Sequence, residues 1–224
     1  MVHWIAFSLV VLSPSPVVQQ TDSSIADTVA AIRLAKTIVD NAVWDTTGEC
    51  PRDRDTVCLT RRDAFISKIA PARAYLSAGF ASHDSIVWLM TTSVALSGGT
   101  KLAKAGAYPQ AFEWLDQLLT ELASESSHHS ISQNQQVREQ ASFWFGVTDE
   151  LSLQEPYRRL VASRSCNEVK TLNHQIADRI ARGLEALNVG QGVAAGVTGQ
   201  MRSILIQYKS NLPRVTPAIQ CHNF

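Results

Sequence analysis

Apolar residues recur along this chain at helical intervals, and no stretch of useful length alternates with the period of two that a strand requires. A chain patterned in this way has to bury its surface by packing helix on helix. From the N-terminal side, Ile25, Val29, Ile32, Ala35, Val39, Ala42 and Val43 make one face of a helix expected over about 24–44. Thr46-Thr47-Gly48 ends it. Thr60 is the expected N-cap of a second helix with Phe65, Ile66, Ile69, Ala72, Tyr75 and Leu76 inward, and Pro71 is expected to kink or split it. A third helix is expected from Asp84 to Gly106. It contains Gly98-Gly99, a pair that costs about 1 kcal/mol per residue relative to alanine and is tolerated where a neighbouring helix comes close.

Pro109 then opens a fourth helix to about Ala123, with Phe112, Leu115, Leu118, Leu119 and Leu122 inward. Ser132-x-x-Gln135 is a capping box for a fifth helix that carries Phe143-Trp144-Phe145. Three consecutive aromatics cannot share one helix face, so at least one is expected near the surface. Pro156 is expected to interrupt this helix, leaving Leu153–Ser163 as a separate short element. Ser165-x-x-Glu168 is a second capping box and opens a helix to about Leu187. A last helix, about Val193–Asn211, is expected to stop before Pro213. The fold class that follows is all-α.

Residues 1–20 read differently from 21–224, which are expected to form one all-α domain. Trp4 to Leu12 is an uncharged apolar run, about 14 Å long as a helix and too short for a hydrocarbon core of about 30 Å. It suits a secretory signal and places the protein in the periplasm or another extracytoplasmic compartment. No Lys or Arg precedes the run and no A-x-A-like site follows it, so a retained N-terminus touching the membrane is the alternative. The body contains no run long enough to span a bilayer. The four cysteines fit export. Cys50 and Cys58 flank a polar loop that could close as a small ring. Cys166 and Cys221 come together if the two intervening helices form a hairpin.

Twenty basic and twenty acidic residues cancel, which argues against nucleic acid as a partner. Arg52, Arg54, Arg61 and Arg62 alternate with Asp53, Asp55 and Asp63 and read as a solvated loop and helix start. Gly190-Gln191-Gly192-Val193-Ala194-Ala195 matches G-x-G-x-x-A but follows a helix rather than a strand, so it reads as a helix–helix turn. His128 and His129 lie in a polar stretch without the cysteine spacing of a zinc site. His83 and His174 sit in no neighbouring Ser, Cys or carboxylate arrangement that suggests a base, and the pairs Glu113/Asp116 and Asp149/Glu150 read as solvated faces. No metal, no cofactor and no catalysis are expected.

At Gly106 the chain meets a family. The run Gly106-Ala107-Tyr108-Pro109-Gln110-Ala111-Phe112-Glu113-Trp114-Leu115 resembles the junction of a tetratricopeptide repeat, with glycine for the turn, an aromatic packed over it and a small alanine beneath. Gly99 and Leu102 fit the same repeat, over about 92–125, while Leu118 and Ala123 depart from it. A weaker match surrounds Gln140–Gly146. The resemblance implies antiparallel helix pairs in a right-handed stack, and a partner held on the face of the first helix of each pair. On that alignment the partner-binding residues are Ser93, Thr100 and Lys104, continued by Gln140, Phe143, Val147 and Glu150. The alternative for Phe143 and Val147 is ordinary core. Exported proteins of this architecture serve as accessory or assembly subunits of membrane complexes, respiratory and photosynthetic ones included. The function expected is therefore a non-catalytic scaffold for other protein subunits, and the alternative is a helical binding protein for a small apolar ligand.

Overall fold

The computed structural model describes residues 17–44, 56–124 and 131–215, with side chains described at 24–44, 56–124 and 134–215. The signal-like run and the Cys50 loop lie outside the described residues. Those described form α1 (Val17–Asn41), α2 (Thr56–Phe80), α3 (Ser85–Lys104), α4 (Tyr108–Ser124), α5 (Ile131–Ala162), α6 (Cys166–Val189) and α7 (Ala195–Val215). A single 3-10 turn, Gly190–Gly192, joins the last two. No strand occurs among the described residues, and the protein is all-α.

Local signals set several helix ends. Asp84 caps α3, its carboxylate accepting from the Ile86 and Val87 N–H groups at 2.9 Å each. The other end of α3 closes through Gly106, whose φ of 72° only glycine adopts without strain. There the Ala107 N–H donates to the Leu102 carbonyl at 2.9 Å and the Gly106 N–H to that of Ala103 at 3.0 Å, a Schellman closure. Ser165 caps α6 by accepting from the Glu168 N–H at 3.5 Å. Glu168 does not complete the box. Its carboxylate accepts instead from Arg159 and from the Ser163 hydroxyl, both at 2.8 Å, and these bonds hold its carboxyl below its usual range.

Pro156 and Pro213 depart from expectation, and Pro71 does not split its helix. Pro71, Pro156 and Pro213 all lie inside continuous helices, so Leu153–Ser163 is the end of α5 and not a separate element. A mid-helix proline costs about 3 kcal/mol, and burial offsets it. Ile69, Ala72 and Leu76 are buried around Pro71, and Leu153 and Leu160 around Pro156. Thr60 and Ser132 likewise fall inside helices rather than capping them. The Thr60 hydroxyl donates to the Thr56 carbonyl at 2.8 Å, one turn back.

The core has two large parts and a bridge. One part runs from Ile32, Ala35 and Val39 of α1 through α2, α3 and α4 to Ala141 at the N-terminal part of α5. The second joins Leu153 and Leu160 of α5 to Val169, Ile176 and Ile180 of α6 and Leu205 of α7. Between them Leu115, Phe145 and Ala186 form a small cluster from three different helices. Gly98 and Gly99 let α4 come close. A β-carbon on Gly98 would lie 2.0 Å from the Trp114 ring, and one on Gly99 would lie 2.8 Å from Leu115 Cγ. Lys101, also on α3, donates through Nζ to the Val39, Asp40 and Ala42 carbonyls at 2.6, 3.3 and 3.2 Å. It thereby satisfies the carbonyls that α1 leaves open at its C-terminus.

Candidate functional site

The seven residues expected on one face divide into two groups. Ser93 and Lys104 are exposed on α3, and Thr100 on α3 and Gln140 on α5 are half-buried. Phe143, Val147 and Glu150 are interior, with relative exposures of 6%, 8% and 3%. The cause is the position of α5, which contacts α3 and α4 as well as α6 and α7. Positions 141–143 and 145–150 are all buried. Trp144 is the one residue of its aromatic trio that is not buried. Its ring meets Phe143 edge-on at 5.4 Å, and Lys104 Nζ stands 5.5 Å from its centroid.

Beside Ser93 an open groove of about 320 Å³ separates α1 from α3. Val39, Leu89, Met90 and Val94 supply its apolar lining, and the Lys36–Asp40 ion pair lies at its side. Leu89 and Ile86 stay exposed on the same helix, at 39% and 70%.

The other concentration of chemistry lies where α4, α5 and α6 meet. Asp149 is fully buried, and its Oδ1 accepts from Arg179 Nε at 2.8 Å. Arg179 also donates to the Ser152 hydroxyl. One helical turn further along α6, Arg182 pairs with Asp116 of α4. Both guanidinium groups lie over the Phe112 ring, at 4.9 and 5.6 Å, and Arg182 also covers Phe145 at 5.3 Å. The two rings pack against each other with centroids 4.7 Å apart. Flat, weakly hydrated guanidinium groups suit aromatic faces, so the pattern alternates cation and ring across the seam. Among the described residues, Asp149 Oδ2 has no hydrogen-bond donor. Burial pushes its carboxyl up to about 6, against the pull of Arg179. Gly183 makes room for it, since a β-carbon there would stand 2.5 Å from Oδ2.

The sequence reading took Asp149 and Glu150 as solvated, and the structure corrects this: both are buried. Arg179 and Arg182 were not singled out. Their spacing of three on one helix and the facing glycines Gly146 and Gly183 are the signals that could have found the seam. An open cavity of about 250 Å³ adjoins it, lined by Asp116, Arg138, Ser142, Phe145, Arg182 and Glu185 among others.

Nothing in this arrangement sets a nucleophile beside a base. His83 and His174 are exposed, and His128 and His129 lie outside the described residues. Among the described residues no group of three His, Cys, Asp or Glu side chains is placed to hold a metal ion. The G-x-G-x-x-A stretch follows α6, as the helix–helix turn reading requires. Neither Cys58 nor Cys166 is a free thiol. Cys50 and Cys221, their expected partners, lie outside the described residues. No helix among the described residues is long and apolar enough to cross a membrane. The chain matches no protein-family model, no curated protein and no solved structure.

Proposed function

We propose that this chain is an exported, non-catalytic scaffold that holds another protein subunit, one belonging to a membrane complex, along the outer face of α3. The observation that carries the reading is the groove between α1 and α3. Its apolar floor of Val39, Leu89, Met90 and Val94 lies beside a polar line of Ser93, Ser97, Thr100 and Lys104 spaced at helical intervals. An apolar anchor site with flanking polar and charged groups suits recognition of a partner's side chains and fixes their register. With Phe143, Val147 and Glu150 buried, the proposed face narrows to Ser93, Thr100, Lys104 and Gln140. Ser93→Arg and Lys104→Glu together are expected to weaken capture of the native partner at least tenfold while helicity is retained. A gentle detergent pull-down from the native membrane, read by mass spectrometry, checks it; undiminished capture by the double variant would sink the proposed face.

The architecture proposed is a tetratricopeptide-like stack of antiparallel helix pairs. Opposed contact order supports the pairing. Phe143 meets Gly190, Gly146 meets Leu187, and Asp149 meets Gly183, so numbers rise on α5 as they fall on α6. Ala111, fully buried just past the Gly106 turn, suits the close junction such a pair needs. Ala111→Leu is expected to overpack that junction and cost about 1–3 kcal/mol. An unchanged melting temperature would contradict the close-packed junction.

The groove's apolar floor also favours a second reading, a binding protein for a small apolar ligand. Native mass spectrometry of the protein purified from its source separates the two: a retained small molecule supports the second reading.

A further inference from the structure

We propose that Asp149 is a proton-operated latch on the seam between α5 and α6: with its carboxyl neutral the seam closes fully, and with it ionised a partly compensated charge is left inside and the seam loosens. The geometry that carries this is a carboxylate with no exposed surface and, among the described residues, a hydrogen-bond donor for only one of its two oxygens. A buried ion needs partners on all sides to offset the loss of water, and a half-satisfied one is an internal cost.

On α6 the carboxylate faces Arg179, with Arg182 and Asp178 as its other charged neighbours. Arg182 is held by Asp116 of α4. From α7, Leu205 packs against Gly183, the same glycine that makes room for the carboxylate. On the α3 side the charge is Lys104, placed over Trp144 rather than at the seam. One cation therefore offsets the charge directly.

Protonation does not strand that cation. Arg179 keeps some solvent exposure, its bond to Ser152 and its place over Phe112. Asp149 holds its proton more tightly in the folded chain, up to about 6, than at its ordinary 3.8. Its contribution to stability is thus fully present below the ordinary value and is lost as pH rises through about 6. Each pH unit between the two corresponds to a factor of about ten, so the span is about a hundredfold in the folding equilibrium.

The test compares the full chain with D149N by urea unfolding between pH 4 and 7.5. The parent's folding constant is expected to fall about a hundredfold more than the variant's across that range. The six histidines are common to both chains and cancel. Parallel profiles would overturn the latch. Should D149N fail to fold, the carboxyl carbon of Asp149 in the parent is titrated by NMR, where a midpoint near 6 supports the proposal and one near 4 ends it. Amide exchange supplies the structural readout. Corrected for intrinsic rates, protection at 146–152 and 179–187 should be higher at pH 5 than at 7.5, with the α1–α2 seam unchanged; a uniform response would reject a latch local to this seam.

Discussion

Phe145→Ala is expected to destabilise the protein by about 3–5 kcal/mol, the usual cost of deleting a buried aromatic. The upper part of that range is expected here because Phe145 has two roles. It is 2% exposed, so its truncation leaves a cavity rather than a collapsed surface. It is also the α5 member of the cluster that links α4, α5 and α6, between the two larger parts of the core. Its loss removes the ring partner of Phe112 and one of the two aromatic faces beneath Arg182. Arg182 and Asp116 would then hold each other across a void. Urea unfolding followed by fluorescence and by circular dichroism checks this. The midpoint should fall sharply, and the two probes should separate, because α4, α5 and α6 lose an apolar bridge between the two larger parts of the core. Coincident transitions with a loss under 1 kcal/mol would mean that the bridge carries no coupling.

How much of this was legible in the sequence depends on whether the cause is local. The Asp84 cap and the Gly106 closure are written within a few residues, and both are found where the residues place them. The helical period along α1 marks Ile32, Ala35, Val39 and Ala42 correctly as core, yet Ile25 and Val43 at the ends of the same stripe are exposed. Periodicity gives the direction of a face but not the extent of the neighbour that covers it. Pro156 does not interrupt α5, and Pro71 does not split α2, for a related reason. A proline's local penalty is a fixed few kcal/mol, whereas the burial of Ile69 and Leu76, or of Leu153 and Leu160, is decided by helices distant in sequence.

The site shows the same limit more strongly. Phe143, Val147 and Glu150 follow a spacing that suits one face of a helix, and that face turns out to be covered by other helices. Asp149 and Glu150 looked like an ordinary solvated pair because most adjacent carboxylates are. Their burial follows from the position of α5, which is packed against α3, α4, α6 and α7. A helix with neighbours on several sides has no solvated face for its acids. Lys101 carries no sequence signal at all for its role. Its task is set by the end of α1, some sixty residues earlier in the chain.

Reduction of both expected disulfides should cost about 6.5 kcal/mol, the largest effect proposed for the chain. The proposed pairs are Cys50–Cys58 and Cys166–Cys221. Cys58 and Cys166 are not free thiols, and the pairing proposed follows the sequence, in which Cys50 and Cys58 flank one short polar loop. In the chain-entropy account, the longer bridge would close a loop of about 55 residues and contribute roughly 4 kcal/mol, the shorter one roughly 2.5. Their placement gives a physical reason for the size of the effect. Cys58 lies in the first turn of α2 and Cys166 opens α6, so each bridge would fasten a helix N-terminus to a segment with little helical signal of its own. A helical stack without a further repeat at its ends needs such fastening. Cys166→Ser with Cys221→Ser should therefore lower the unfolding midpoint more than Cys50→Ser with Cys58→Ser. Non-reducing peptide mapping decides the pairing, and denaturant titration of the two double variants decides the ranking. Four alkylatable thiols in the native protein would remove both bridges, and with them the strongest support for an oxidising compartment.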